Sequence, residues 1–128
     1  MENSFPTDLK YNQDYSWVKI EDDVAVLGVI DKAAKQVEEF VFVMLPEVGK
    51  RIIKDEVYLN LEAIKWSGHL TSPISGEVIE VNMDVFNEPS KINENSYQNW
   101  LVKVKITDKS ELEQLIDADQ AKEFYQKK

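Results

Sequence analysis

Val57-Tyr58-Leu59-Asn60-Leu61, His69-Leu70-Thr71 and Glu77-Val78-Ile79-Glu80-Val81 are three short β-type runs in the middle of the chain. Lys65-Trp66 separates the first two, and the turn chemistry of Pro73-Ile74-Ser75-Gly76 separates the second from the third. Branched and aromatic residues fit a pleated, half-buried surface, while Pro, Ser and Gly favour chain reversal. Runs this short and this closely spaced point to a β sandwich or half-barrel, and periodicity alone goes no further.

Working outward, the same pattern recurs on both sides. Trp17, Val18 and Ile20 lead into Glu21-Asp22-Asp23, a turn, and Val24 to Val29 returns. Asp31 to Val37 reads as a helix of about two turns, capped by Asp31, with Ile30, Ala33, Ala34 and Val37 on one face. Phe40 to Leu45, closed by Pro46, reads as a well-buried strand. Arg51 to Ile53 adds another short strand. In the run from Trp100 to Ile106, alternation places Trp100, Val102, Val104 and Ile106 on one face. The period then changes: Ser110-Glu111-Leu112-Glu113 has the form of a capping box. Asp117 or Asp119 begins a C-terminal helix carrying Ala121, Phe124 and Tyr125. The segment 1–10 is polar and reads as a flexible start, and 1–128 as a single domain.

Composition narrows the chemistry. With 15 basic and 24 acidic side chains the net charge is −9, which repels phosphate backbones and excludes nucleic acid as an expected partner. No apolar run approaches the roughly 20 residues that cross a bilayer, and Met1 to Pro6 lacks the basic and apolar regions of a secretory leader. The expectation is a cytoplasmic protein without a membrane role. The chain has no Cys and one His, His69, which excludes disulfides, thiolate metal sites and a catalytic thiol. Any redox or group-transfer chemistry must come from an attached cofactor.

Two stretches carry a family resemblance. Leu27-Gly28-Val29-Ile30-Asp31-Lys32-Ala33 and Phe40-Val41-Phe42-Val43-Met44-Leu45-Pro46-Glu47-Val48-Gly49 resemble the glycine cleavage H-protein pattern Gly-Ile-Thr-Asp-x-Ala, then Val-Phe-Val-x-Leu-Pro-x-x-Gly. Leu61-Glu62-Ala63-Ile64-Lys65 and Ser72 to Asn82 are similar to that family's Val-Glu-Ser-Val-Lys and Ala-Pro-Val-Ser-Gly-Glu-Ile-Val-Glu-Val-Asn. The spacings from Gly49 to Lys65 and from Lys65 to Pro73 match without gaps. Weaker matches extend the resemblance over roughly Tyr11 to Tyr125.

The resemblance implies a mainly β fold with short helices, the flattened barrel-sandwich hybrid of biotinyl and lipoyl carriers, with a C-terminal helical segment. It implies lipoate covalently attached to Lys65, with Glu62, Ala63 and Ile64 forming the motif read by a lipoate ligase or lipoyl transferase. The implied work is non-catalytic: a monomer that carries an aminomethyl group among a glycine decarboxylase, an aminomethyltransferase and a lipoamide dehydrogenase. The residues agree with that placement, since Val57–Leu61 and His69–Thr71 can pair and leave Ala63 to Ser67 as a turn. A lysine there projects on a flexible stem, and acylating it removes its charge.

The sequence departs from the family where the arm would lie. Trp66-Ser67-Gly68-His69 stands where the family has Ala-Ala-Ser-Asp, and Tyr15-Ser16 where it has His-Glu before Trp17. In that family the Glu and Asp help hold a cationic aminomethyl group, so Ser16 and His69 remove two anions, and Asp14 is a substitute candidate. Asp14, Ser16, Trp66 and His69 are therefore the expected arm-pocket or partner contacts. Glu38 and Asp55 occupy positions where the family often has Gly. These departures keep two alternatives open: an H-like lipoate-binding protein that carries a sulfur intermediate for a heterodisulfide-reductase-like complex, and a lipoyl-relay protein. A biotin carrier is disfavoured because Ile64 and Trp66, not Met, flank Lys65. A stand-alone enzyme is the weakest reading, because one His and no Cys leave few nucleophile-and-base pairs.

Overall fold

The computed structural model describes residues 5–127. Its first strands are β1 (Lys10–Tyr11), β2 (Ser16–Glu21) and β3 (Val24–Val29). Glu21 pairs with Val24, so Asp22 and Asp23 form the turn expected there, and Asp22 takes φ 57°, a conformation Asp tolerates better than most residues. Helix α1 (Asp31–Gln36) follows, then β4 (Phe40–Met44), β5 (Arg51–Ile52), β6 (Val57–Ala63), β7 (Trp66–Thr71) and β8 (Gly76–Val81). Two short helices, α2 (Met83–Asn87) and α3 (Lys91–Glu94), lead to β9 (Val102–Ile106), a 3₁₀ turn at Lys109–Gln114 and helix α4 (Ala118–Gln126).

The strands form two sheets. One has six strands in the order β1-β2-β3-β9-β8-β5, and the other has three in the order β4-β6-β7. Val18, Leu27, Val78 and Val104 of the first meet Val43, Leu59, Leu61 and Leu70 of the second in a common buried core. This is the expected mainly β sandwich with short helices. Each fully buried Leu, Ile or Val contributes about 1.5–3 kcal/mol relative to exposure. A second apolar cluster joins Leu9, Tyr11, Trp17, Val26 and Ile30 to Ala118, Ala121 and Tyr125 of α4.

Several local expectations are corrected. Asp31 is the first residue of α1, not its cap; Ile30 stands at the cap, and Asp31 pairs with Lys35 at 3.8 Å. Strand β4 is not buried throughout: a bulge between Phe40 and Phe42 leaves Val41 49% and Met44 52% exposed, with only Phe40 and Val43 turned inward. Another bulge between Val78 and Glu80 interrupts the alternation of β8. Trp100 precedes β9, packing in the second cluster with Lys103 Nζ 4.8 Å from its ring. The segment from Ser110 to Glu113 is a 3₁₀ turn capped by Asp108, whose carboxylate accepts from the Ser110 amide at 3.0 Å. Asp117 is the cap of α4, in a full capping box with Gln120. Of the flexible start, residues 1–4 lie outside the described residues. From Phe5 the chain is packed: Phe5 stacks on Tyr125 at 5.8 Å and Leu9 is 6% exposed.

Glu38 (φ 66°) and Asp55 (φ 70°) hold left-handed conformations that favour glycine. These are the two positions where the resembled family often has Gly, so the backbone shape is kept at a cost of about 1 kcal/mol each.

Candidate functional site around Lys65

β6 and β7 pair from Val57–Thr71 up to Ala63–Trp66, so the strands run to the tip and only Ile64 and Lys65 form the turn. This is tighter than the turn from Ala63 to Ser67 expected from the sequence. Inward and outward positions alternate along the hairpin. Leu61 and Ala63 are buried, while Asn60 and Glu62 are exposed. Glu62 pairs with Ser67 across the hairpin and with Phe42 of β4 on its other side, so its carboxylate stands on the solvent face just below the tip. Ile64 is 78% exposed and Lys65 is exposed. An ammonium at such a tip is open to acylation with no change in packing.

Trp66, opposite Ala63, turns toward the inner side of the hairpin. Its ring lies edge-on to Phe40 at 6.3 Å and covers Gly68, where a Cβ would come within 2.5 Å of the indole. Glycine at that position makes room for the ring.

Beneath the tip opens a cleft of about 620 Å³. Its apolar lining comes from Val29, Ala33, Val37, Phe40, Leu61 and Leu70, with Trp66 and Ile64 at the hairpin end. Asp14, Gln36, Glu38, Glu39, Lys65 and His69 supply its polar groups. The expected contacts Asp14, Trp66 and His69 are thus brought together around Lys65.

Ser16 is not among them. It is fully buried, and its hydroxyl lies 2.8 Å from the Tyr58 hydroxyl. Burial pushes the Tyr58 phenol up, and the Ser16 bond only partly offsets that. The reason Ser16 turns inward is the loop before it. Asn12 Oδ1 accepts from the amides of Asp14 (2.9 Å) and Ser16 (3.0 Å), and Tyr15 takes φ 65°. Tyr125 of α4 braces this loop: its hydroxyl donates to the Asn12 carbonyl and accepts from the Tyr15 amide, each at 2.8 Å.

Asp14 is half-buried on the cleft side of the loop. Its Oδ2 accepts from the Thr71 amide at 2.6 Å and from the Thr71 hydroxyl at 2.7 Å. Asn12 Nδ2 donates to the Thr71 carbonyl at 3.1 Å, which ties the loop to the end of β7. The cleft therefore has two walls, the β6–β7 hairpin and the loop 12–16 backed by α1 and α4.

Gln36, Glu38 and Glu39 were not anticipated as lining residues. The apolar face of α1 was readable, and Ala33 and Val37 of that face do line the cleft. Their meeting with β7 depends on tertiary packing, for which no local spacing exists. Among the described residues no group of three or more metal-ligating side chains is arranged around an ion, and no helix is long and apolar enough to cross a membrane.

Comparison with known proteins bears on the family and the fold. A family model described as the glycine cleavage H-protein matches residues 9–128. The chain is 37% identical over 123 residues to the glycine cleavage system H protein of Halalkalibacterium halodurans, covering 95% of this chain and 96% of that one. It is 39% identical over 120 residues to the H protein of Staphylococcus carnosus, covering 93% and 95%. A crystal structure of a glycine cleavage system H protein from Mycobacterium marinum superposes with a TM-score of 0.81 at 28% identity, covering 91% of this chain and 95% of that one.

Proposed function

The chain belongs to the glycine cleavage H-protein family, and from that premise we propose that it is the lipoyl-lysine carrier of a glycine cleavage system, with Lys65 as the attachment point. The observation that carries this reading is Lys65 itself, exposed at the apex of a two-residue turn directly above an apolar cleft of about 620 Å³.

The residues present fit a lipoyl arm. An amide on Lys65 Nζ removes the one lysine charge at the cleft, and the walls of Phe40, Leu61, Leu70 and Trp66 suit an aliphatic chain and sulfur. When bound, lipoate supplies a reversible dithiol–disulfide pair that this Cys-free chain lacks. The protein's own part is to present, shelter and release. The hairpin offers the lysine to a lipoate ligase or lipoyl transferase. Glu62, exposed beside the turn, and the Ala63-Ile64 step form the surface that such an enzyme reads. The tether raises the effective concentration of the arm at each partner site. Those partners are a glycine decarboxylase, an aminomethyltransferase and a lipoamide dehydrogenase. The carrier acts as a cytoplasmic monomer and catalyses nothing itself. The sulfur-carrying and relay alternatives draw no support from relatives that bear the glycine cleavage name.

Intact mass and peptide mapping of protein from lipoate-replete cells test the assignment. A lipoyl-sized increment on the Lys65 peptide is expected, and Lys65→Arg abolishes it while leaving the melting temperature unchanged. An unmodified Lys65 in such cells overturns the carrier reading.

A further inference from the structure

We propose that Asp14 is the carboxylate that holds a cationic cargo in this cleft, position 16 being a neutral serine buried in the core. The proposal rests on the carrier reading above and adds to it the specific anion that the arm meets.

A primary ammonium that leaves water for an apolar cleft needs an ionised partner at hydrogen-bond distance. Ser16 is neutral, fully buried and engaged with Tyr58, so position 16 has no access to the cleft. His69 adds no anion. Three carboxylates remain on the lining: Asp14, Glu38 and Glu39. Glu38 and Glu39 are exposed, where an ammonium gains little from one flexible carboxylate in water. Asp14 differs in two respects. It is half-buried, and it is already oriented.

The orientation has a traceable cause. Both bonds from Thr71 end on Oδ2, which leaves Oδ1 with its acceptor capacity among the described residues. The Asn12 side chain and the left-handed Tyr15 turn the chain so that residue 14 faces the cleft and residue 16 faces Tyr58. Tyr125 holds that turn from behind. A carboxylate fixed in advance loses little conformational freedom when a cation arrives. Acylation of Lys65 also removes the cation that would otherwise compete for it.

The test uses the absence of cysteine. With Lys65 lipoylated and the arm reduced, its thiols are the only ones on the protein, and alkylation labels the arm alone. In this step an arm thiolate displaces halide and a carbon–sulfur bond forms. 2-Bromoethylamine leaves a primary ammonium on the sulfur, and iodoacetamide leaves a neutral amide of similar size.

The wild-type cationic adduct should melt about 2–5 °C above the neutral one. Raised salt should shrink that gap. Asp14→Asn keeps an oxygen for the Thr71 amide but loses the charge, so the gap should disappear. Asp14→Glu, which keeps the carboxylate on the same loop, should retain a gap. Equal melting of the two wild-type adducts, or a gap that survives Asp14→Asn, overturns the proposal and leaves the carrier reading standing. Failure to acquire the lipoyl group at all overturns the carrier reading instead.

Discussion

Trp17 over Gly28 and Trp66 over Gly68 are one local device used in two settings. In each pair an indole occupies space that a side chain would fill, with a Cβ on the glycine meeting the ring at 2.3 Å in the first and 2.5 Å in the second. Trp17 is 2% exposed, faces Gly28 across the β2–β3 ladder, and donates its indole N–H to the Ser96 carbonyl at 3.0 Å. Trp66 is 42% exposed at the tip of a hairpin. The first ring has nowhere to go, and the second can swing into solvent. The contrast extends to the walls of the cleft, one pinned from behind by α4 and Tyr58, the other ending in a bare two-residue turn. A cofactor carrier has use for both, since the tether must be reachable while the surface that receives it must keep its shape.

The sharpest way to break the comparison is Gly28→Ala. The added methyl meets a locked ring, so stability should fall by about 3 kcal/mol, the upper end of the overpacking range, read as a shift in denaturant midpoint. A loss of less than about 1 kcal/mol would show that Trp17 yields as freely as Trp66, and the contrast would collapse.

Next comes Tyr125→Phe, which strips the brace from the loop 12–16 by removing its hydrogen bonds to the Tyr15 amide and the Asn12 carbonyl. It should cost about 2 kcal/mol. The pinned side should also fail first in alkali. Burial raises the phenols of Tyr58, Tyr125 and Tyr97 above 10.0, Tyr97 to about 12. The unfolded chain therefore gives up these protons first. The stabilisation they bring is complete below about pH 10 and is lost as pH climbs through the folded values. Melting temperatures measured from pH 8 to 12 should hold and then drop, and a flat profile would contradict the buried phenols.

The smallest effect belongs to Gly68→Ala. Trp66 can turn outward and alanine suits a strand better than glycine, so the change should stay within about 0.5 kcal/mol. A cost as large as that of Gly28→Ala would mean that Trp66 is a packed residue despite its exposure.

Much of the hairpin side was readable from sequence because its signals are local. Val57 to Leu61, Lys65 and His69 to Thr71 lie close together, and strand alternation plus an in-register motif places the lysine at a turn. The pinned side was readable only in pieces. That Ser16 faces Tyr58 depends on a left-handed Tyr15, which nothing in the residue type announces, and on a helix that starts beyond residue 117. The bulge that exposes Val41 and Met44 is likewise invisible in a run that reads as uniformly apolar. Ser110 does not act as the cap because its amide and its hydroxyl both donate to Asp108 Oδ1. Asp14 could be named as a candidate charge from its neighbourhood, but its fixed oxygen comes from Thr71, 57 residues away.

The brace between Tyr15 and Tyr125 joins residues 110 apart, and Tyr11 bridges Ile116 in the same region. The hairpin under Lys65 closes on near neighbours. Translation runs from the N-terminus, so when Lys65 emerges with its strand partners the loop 12–16 and α1 are already made, while α4, which braces that loop, is still to come. Non-local contacts form late for the same entropic reason. A nascent chain can therefore display Lys65 beside a cleft whose lining is already made but whose far wall has yet to receive its brace from α4.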